Sequence, residues 1–279
     1  MPAIITKSNK TNQAVHFVDF YKTSNVLYYG IGRSTPWTNE VNPPAALVAT
    51  SEETAAYDAL EGAHKVDPKD IVPVVPRKTW TVGTEYVTKD LAIANTQATN
   101  FYVVTSNAEV YMCESKDLTG STYANPPLSV NEPTGTGIVN TSDGYTWKFL
   151  YDLSIYDSST LLSTNWLPVN YADHISTLQT SSGDIHAAKT LDCNACLVRG
   201  SISDIALNTN ITYRQVTIIS NPLASDGVTL ASAVDYTKPV DPTFPEWTLY
   251  SGDILYIDNR SPITRTFGQN EEMYTVIEF

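Results

Sequence analysis

Cys193-Asn194-Ala195-Cys196 has the two-residue spacing used by redox dithiols and by one half of a zinc site. Both chemistries need more than the pair. A redox dithiol wants a helix N-terminus to lower its thiol pKa, whereas Ala187 to Val198 reads as a strand. A zinc ion needs two further ligands, and Cys113, His174 and His186 offer no paired spacing. The cysteines are therefore expected to be structural, with no metal and no cofactor. Gly30-Ile31-Gly32-Arg33-Ser34-Thr35 follows a strand-like run, as a phosphate-binding loop does, but it lacks the third glycine. Pro36 then stands where the phosphate-binding helix should begin, so the segment reads as a tight turn. No G-x-x-x-x-G-K-[ST], H-E-x-x-H, G-x-S-x-G or EF-hand loop occurs. Glu109 and Glu114 flank a strand and, with five Trp and 17 Tyr, keep a glycan-cleaving reading open, since that hydrolysis needs two carboxylates about 5 to 9.5 Å apart. Their odd separation puts them on opposite faces of one strand, and no catalytic residue is expected.

The elements that position these residues are mostly strands. Val26 to Gly30, Phe101 to Thr105, Val110 to Cys113, Thr146 to Leu153, Arg214 to Ser220, Ile254 to Ile257 and Met273 to Phe279 are enriched in Val, Ile, Tyr and Phe. Two segments predict helices. In Gln13 to Lys22 the residues Ala14, Phe17, Val18 and Tyr21 recur at three- and four-residue steps. Thr50-Ser51-Glu52-Glu53 forms a capping box ahead of Ala55, Ala56, Ala59 and Leu60, with Gly62 as the stop. A short helix is also expected around Ser158 to Thr164. Lys116 to Asp143 and Leu223 to Glu246 read as long exposed loops, and loops beyond about 15 residues are usually functional or interfacial. One weak echo links Tyr28 with Asn42-Pro43-Pro44 and Tyr111 with Asn125-Pro126-Pro127. The offset is 14 positions in both, which leaves duplication and coincidence open.

Composition excludes several classes. The chain has 279 residues, long enough for one large domain or two ordinary ones. It carries 17 basic against 30 acidic side chains, a net charge of −13, which argues against a nucleic-acid partner. No window approaches the roughly 20 apolar residues that span a bilayer, so no membrane partner is expected. The first residues lack the pattern of a secretory leader, and three cysteines cannot form a disulfide lattice, so a reducing cytoplasm is the expected place of maturation.

Six blocks, read in order, resemble one family. They are Gly30-Ile-Gly-Arg-Ser-Thr-Pro-Trp37, Val74-Val-Pro-Arg-Lys-Thr-Trp80, Asp143-Gly-Tyr-Thr-Trp-Lys-Phe-Leu-Tyr-Asp-Leu153, Tyr213-Arg-Gln-Val-Thr-Ile-Ile-Ser-Asn-Pro-Leu223, Gly252-Asp-Ile-Leu-Tyr-Ile-Asp-Asn-Arg-Ser-Pro-Ile263 and Asn270-Glu-Glu-Met-Tyr-Thr-Val-Ile-Glu-Phe279. Together they look like the baseplate wedge protein family encoded by gene eight of T4-like contractile-tailed phages. The resemblance implies a strand-rich α+β protein of two domains, the second inserted into the first. Residues 1–75 with 184–279 would form the discontinuous first domain, and 76–183 the insertion. It also implies a homodimer that joins other baseplate wedge proteins, lies in the tail baseplate of the virion after assembly in the host cytoplasm, and does no catalysis. A tail-associated glycan-binding or glycan-cleaving protein is the alternative. Gly30, Gly32, Arg33, Pro36, Trp37 and Trp80 form the candidate structural motif: the turn chemistry of Gly30 to Trp37 suggests a brace at the junction of the two domains with Trp80 nearby, and an ordinary core Trp is the alternative.

Overall fold

The structure, a computed structural model, describes residues 7–23, 25–46, 50–89, 101–119, 127–153, 166–168, 193–202, 210–223, 228–232, 235–237, 252–266 and 268–279. Strands dominate these residues, and the fold is α+β. In chain order the elements are helix α1 (Lys7–Thr23), β1 (Leu27–Gly32), helix α2 (Thr50–Asp58), β2 (Leu60–Lys65), a 3-10 turn (Pro68–Asp70), β3 (Ile71–Pro76), β4 (Lys78–Thr79), β5 (Tyr102–Val104) and β6 (Glu109–Lys116). They continue with β7 (Ile138–Asn140), β8 (Tyr145–Asp152), β9 (Trp166–Pro168), β10 (Ala195–Ile202), β11 (Ile211–Ser220), β12 (Asp235–Thr237), β13 (Asp253–Arg265) and β14 (Glu271–Glu278). Three sheets result, with strand orders β12-β2-β1-β11-β13, β14-β10-β3-β9 and β4-β5-β6-β8-β7. The chain divides into two compact units, the first comprising Met1–Asp19, Val72–Leu197 and Ile277–Phe279, the second Phe20–Ile71 and Val198–Val276.

The first unit is organised around aromatic side chains. Tyr86, Phe101, Tyr102, Tyr111, Tyr145 and Trp147 are all buried in one cluster with Val15 of α1. The rings of Tyr145 and Trp147 stack at 5.6 Å, and Tyr86 meets Trp147 edge-on at 5.3 Å, geometries that suit the quadrupoles of aromatic rings. Strands β5, β6, β8 and β7 pair antiparallel in that order, while β4 joins β5 in parallel. The buried face of α1 carries Thr11, Ala14, Val15 and Val18, the spacing expected of one apolar stripe. Phe17 is only half-buried and packs against Phe279 at 5.5 Å.

In the second unit β1 lies at the centre of its sheet, antiparallel to both β2 and β11. Tyr28, Leu60, Ala63, Ile219 and Ala231 form its core. Helix α2 begins where the capping box places it, with Glu52 and Glu53 at the positive end of the helix dipole. It ends at Asp58, before the expected stop at Gly62. Tertiary pairing overrides the local helical preference here: Leu60 is buried, and Leu60 to Lys65 pair with β1 as β2, so Gly62 lies in a strand.

The long loop expected from Lys116 to Asp143 is partly regular, because Ile138 to Asn140 form β7 against β8. Leu223 bridges Leu230, Ala231 is buried and Asp235 to Thr237 form β12, while residues 224–227, 233–234 and 238–246 of the second expected loop lie outside the described residues. The same holds for the helix expected at Ser158 to Thr164. Tyr28 and Tyr111 are both fully buried, yet β1 lies between β2 and β11 whereas β6 lies between β5 and β8. The connectivity therefore does not repeat.

Candidate functional site

The motif Gly30, Gly32, Arg33, Pro36 and Trp37 gathers in the second unit, where it does not form the expected glycine turn. Gly30 and Gly32 belong to β1, and neither has a positive φ; Arg33 is the left-handed residue, at φ 58°. The glycines are needed for close approach instead. A Cβ at Gly30 would lie 2.5 Å from Leu60 Cδ2 and from Thr217 Oγ1. At Gly32 it would lie 2.4 Å from the carbonyl oxygen of Ala59, where β2 changes register and Gly32 stands opposite Leu60. The Arg33 N–H donates to that same Ala59 oxygen at 2.8 Å and turns the chain out of the sheet.

From Arg33 the chain runs as a strap to a bulge in β13. Tyr213 pairs with Ile263 and Gln215 with Asn259, so residues 260–262 face the single residue Arg214. The Trp37 indole N–H donates to the Arg260 carbonyl in this bulge at 3.1 Å, and the Arg33 guanidinium lies 3.6 Å from the centre of the Trp37 ring. Buried Arg214 donates from Nε to both oxygens of Glu40, at 2.9 and 3.0 Å, and from Nη1 to the Ser34 carbonyl at 2.6 Å. Asn259 donates to the Pro44 carbonyl at 3.1 Å, and Asn39 Oδ1 accepts from the amides of Val41 and Asn42. Charge-assisted bonds from a planar fork set position as well as energy. The strap is thus fixed along its length.

Trp80 lies in the first unit and fastens a different loop. Its N–H donates to the Val104 carbonyl at 2.8 Å, and its indole N–H to Ser129 Oγ at 3.2 Å. Ser129 is fully buried. The adjoining anchor is Asp143, which composition did not single out. Its Oδ2 accepts from Ser129 Oγ, the Val130 amide at 2.6 Å and the Asn131 amide at 2.9 Å, while Oδ1 takes the Thr141 hydroxyl and the Tyr145 amide. The Asp143-Gly144 dipeptide, a strong hairpin signal with Gly144 at φ 88°, is the sequence feature that marks this position.

Burial works against ionisation of Asp143, but the bonds donated by Thr141 and by the amides of Asn131, Val130 and Tyr145 outweigh it and hold the carboxyl below the usual carboxylate range. A carboxyl lowered in the folded state stabilises the fold above its unfolded value of about 3.9 and loses that contribution as pH falls through the folded value. Asp143→Ala should therefore cost about 1.5 to 3 kcal/mol at pH 7, the range for hydrogen bonds to a charged group. Chemical unfolding of both proteins at pH 7 and at pH 2 to 3 should show the gap narrowing in acid; an unchanged gap would mean the charge has no part in the anchor.

Each thiol of the Cys193/Cys196 pair is engaged with a backbone carbonyl. Cys193 Sγ donates to Val74 at 2.8 Å and Cys196 Sγ to Ala14 at 3.2 Å. Both cysteines and Cys113 are buried and unbridged. Burial pushes the Cys193 thiol up to about 12, so it stays protonated, unlike a reactive or metal-binding thiolate. Among the described residues no group of three or more His, Cys, Asp or Glu side chains could hold a metal ion. The Tyr111 hydroxyl lies 2.9 Å from a Glu109 carboxylate oxygen and 2.7 Å from the Gly135 carbonyl, two acceptors that share its single proton. This links β6 to the segment before β7.

Similarity to known proteins covers the whole chain. The profile of the family described as bacteriophage T4 Gp8 matches residues 86–279. The baseplate wedge protein gp8 of Enterobacteria phage T4 aligns over 331 positions at 24% identity, covering 99% of this chain and 97% of that protein. These matches place the chain among the structural proteins of the phage tail baseplate. It belongs to the Gp8 family.

Proposed function

We propose that this chain works in the baseplate wedge as a non-catalytic fastener, a homodimer that holds neighbouring wedge proteins in register during tail assembly. The observation that carries the reading is the match to a baseplate wedge protein along almost the full length of both chains. The fastened loops support it, because segments already fixed by their own fold lose little conformational entropy on docking. The acidic balance gives no footprint for nucleic acid, and among the described residues no helix is long and apolar enough to cross a membrane. Two domains, with 76–183 inserted between 1–75 and 184–279, make up the subunit in this reading. The second compact unit is drawn from two separate stretches, 20–71 and 198–276, as the discontinuous first domain would be, while residues 1–19 and 277–279 fall in the other unit.

A net charge of −13 makes copies repel, so the homodimer needs an apolar or hydrogen-bonded patch, while hetero-partners can supply basic surfaces. Native mass spectrometry should find a dimer in isolation and two copies per wedge when the neighbouring wedge proteins of the same phage are added. Shortening the segments within Lys116 to Asp143 and Leu223 to Glu246 should reduce incorporation. A stable monomer, a homotrimer or unaltered incorporation would contradict the corresponding part.

A further inference from the structure

We propose that Val82, Leu128 and Val130 form the centre of a docking surface for a second kind of wedge protein, one apolar at the centre of its contact and basic at the rim. This rests on the wedge-partner reading above and assigns it to specific residues. Thr84 and Ser129 form an antiparallel bridge, with Gly83 N–H donating to the Ser129 carbonyl at 2.7 Å and Ser129 N–H to the Thr84 carbonyl at 2.9 Å. The two segments carrying Val82, Leu128 and Val130 are therefore side by side. Ser129 is turned inward, fully buried between Trp80 and Asp143. Successive side chains of an extended segment alternate in direction, so Leu128 and Val130 project outward. They are 53% exposed each, and Val82 is 62% exposed. Three large aliphatic side chains are thus held towards solvent on a backbone fixed by Trp80, Asp143 and the bridge. Grouped exposure of this kind marks an interaction surface rather than ordinary surface scatter.

The rim identifies the occupant. Glu85 follows the bridge, Glu132 lies two residues beyond Val130, and Asp143 holds the Val130 amide. Lys116 is paired with Glu85 at 2.6 Å, but its side chain is only 5% exposed, while that of Glu85 is 45% exposed. Of these side chains Glu85 is the exposed one, so the charge shown to solvent is acidic, while Glu132 accepts from the amide and hydroxyl of Ser106. A second copy would bring the same acidic rim to the contact, whereas a different chain with Lys or Arg around an apolar centre gains by complementarity and docks faster at low salt.

The test uses the full chain with each purified neighbouring wedge protein of the same phage, binding being measured at low and high salt. Leu128→Ser combined with Val130→Ser should weaken binding of one neighbour at least about tenfold, as loss of central interface anchors does. The mass of the isolated protein should not change, and salt should weaken binding of the unaltered chain. Hydrogen exchange on the unaltered chain should show protection of residues 80–85 and 127–132 on binding that neighbour, which decides the matter even if the variant folds poorly. Equal binding by variant and unaltered chain, or no protection, would overturn the proposal while leaving the wedge reading intact. Loss of self-association with hetero-binding retained would make the occupant a second copy and overturn it as well. If no neighbour binds the unaltered chain, the wedge-partner reading itself fails and takes this proposal with it.

Discussion

Trp147→Ala should destabilise the first unit by about 3 to 5 kcal/mol, the usual cost of truncating a buried Trp. Trp147 is fully buried in the aromatic cluster, where it meets both Tyr145 and Tyr86. A loss of this size is a large fraction of the roughly 5 to 15 kcal/mol that holds a typical domain together. Trp147→Phe should cost much less, because among the described residues the indole N–H has no hydrogen-bond partner, so its removal orphans no acceptor there. A chain with two compact units need not unfold in one step, so a single midpoint is a poor readout. Limited proteolysis under rising urea, with cleavage sites mapped by mass spectrometry, should show early cutting within 72–197 for Trp147→Ala and near-normal resistance for Trp147→Phe. Equal behaviour of the two variants would show that the ring stack does not hold this unit.

Gly32→Ala should damage the second unit by about 3 kcal/mol, at the upper end of the overpacking range. The added Cβ meets three atoms of one peptide unit: it lies 2.4 Å from the Ala59 oxygen, 2.9 Å from its carbonyl carbon and 3.0 Å from the Leu60 Cα. None of these can swing away as a side chain can. Gly30→Ala meets only the side-chain atoms of Leu60, Thr217 and Ile219, so it should cost less. Asparagine separates this account from a turn. At a left-handed turn position Asn is tolerated better than Ala, whereas at a site of close approach the larger side chain is no better. Limited proteolysis under rising urea, mapped to 20–71 and 198–276, should rank Gly30→Ala above Gly32→Ala in resistance, with Gly32→Asn no more resistant than Gly32→Ala. Rescue by Asn would restore the turn reading. The Arg33 amide shares the Ala59 oxygen, so the same displacement should also loosen the strap that Trp37 and Arg214 secure.

These two variants probe different duties of a structural part. The aromatic cluster keeps one unit rigid, and the Gly32 contact sets where the strap leaves its sheet. Asp143, Arg214, Trp37 and Trp80 then spend their polar groups on loops rather than on a reaction centre. For a protein that joins neighbours in a baseplate, loop geometry is where such anchoring has most effect.

Local chemistry determined the element types. Runs such as Arg214 to Ser220 and Thr146 to Leu153 are rich in β-branched and aromatic residues, and they form strands because those side chains suit a pleated, packed surface. Helix α2 likewise begins at Thr50, where the capping-box sequence predicts it, since that signal lies within three or four residues. The order of the six motif blocks carried the family, and with it the baseplate. What lay beyond local chemistry was decided by partners distant in the chain. The end of α2 at Asp58 follows from Leu60 entering the sheet beside β1, although its own segment favours helix. Gly32 is a close-approach glycine because the Ala59 backbone crosses it, and Gly–x–Gly spacing cannot distinguish that from a turn. Cys193 reaches Val74 across 119 positions, Arg214 reaches Glu40 across 174, and Trp37 reaches Arg260 across 223. Spacing along the chain encodes neighbours within a helical turn or a strand pair, whereas these contacts exist only after the sheets have brought remote segments together.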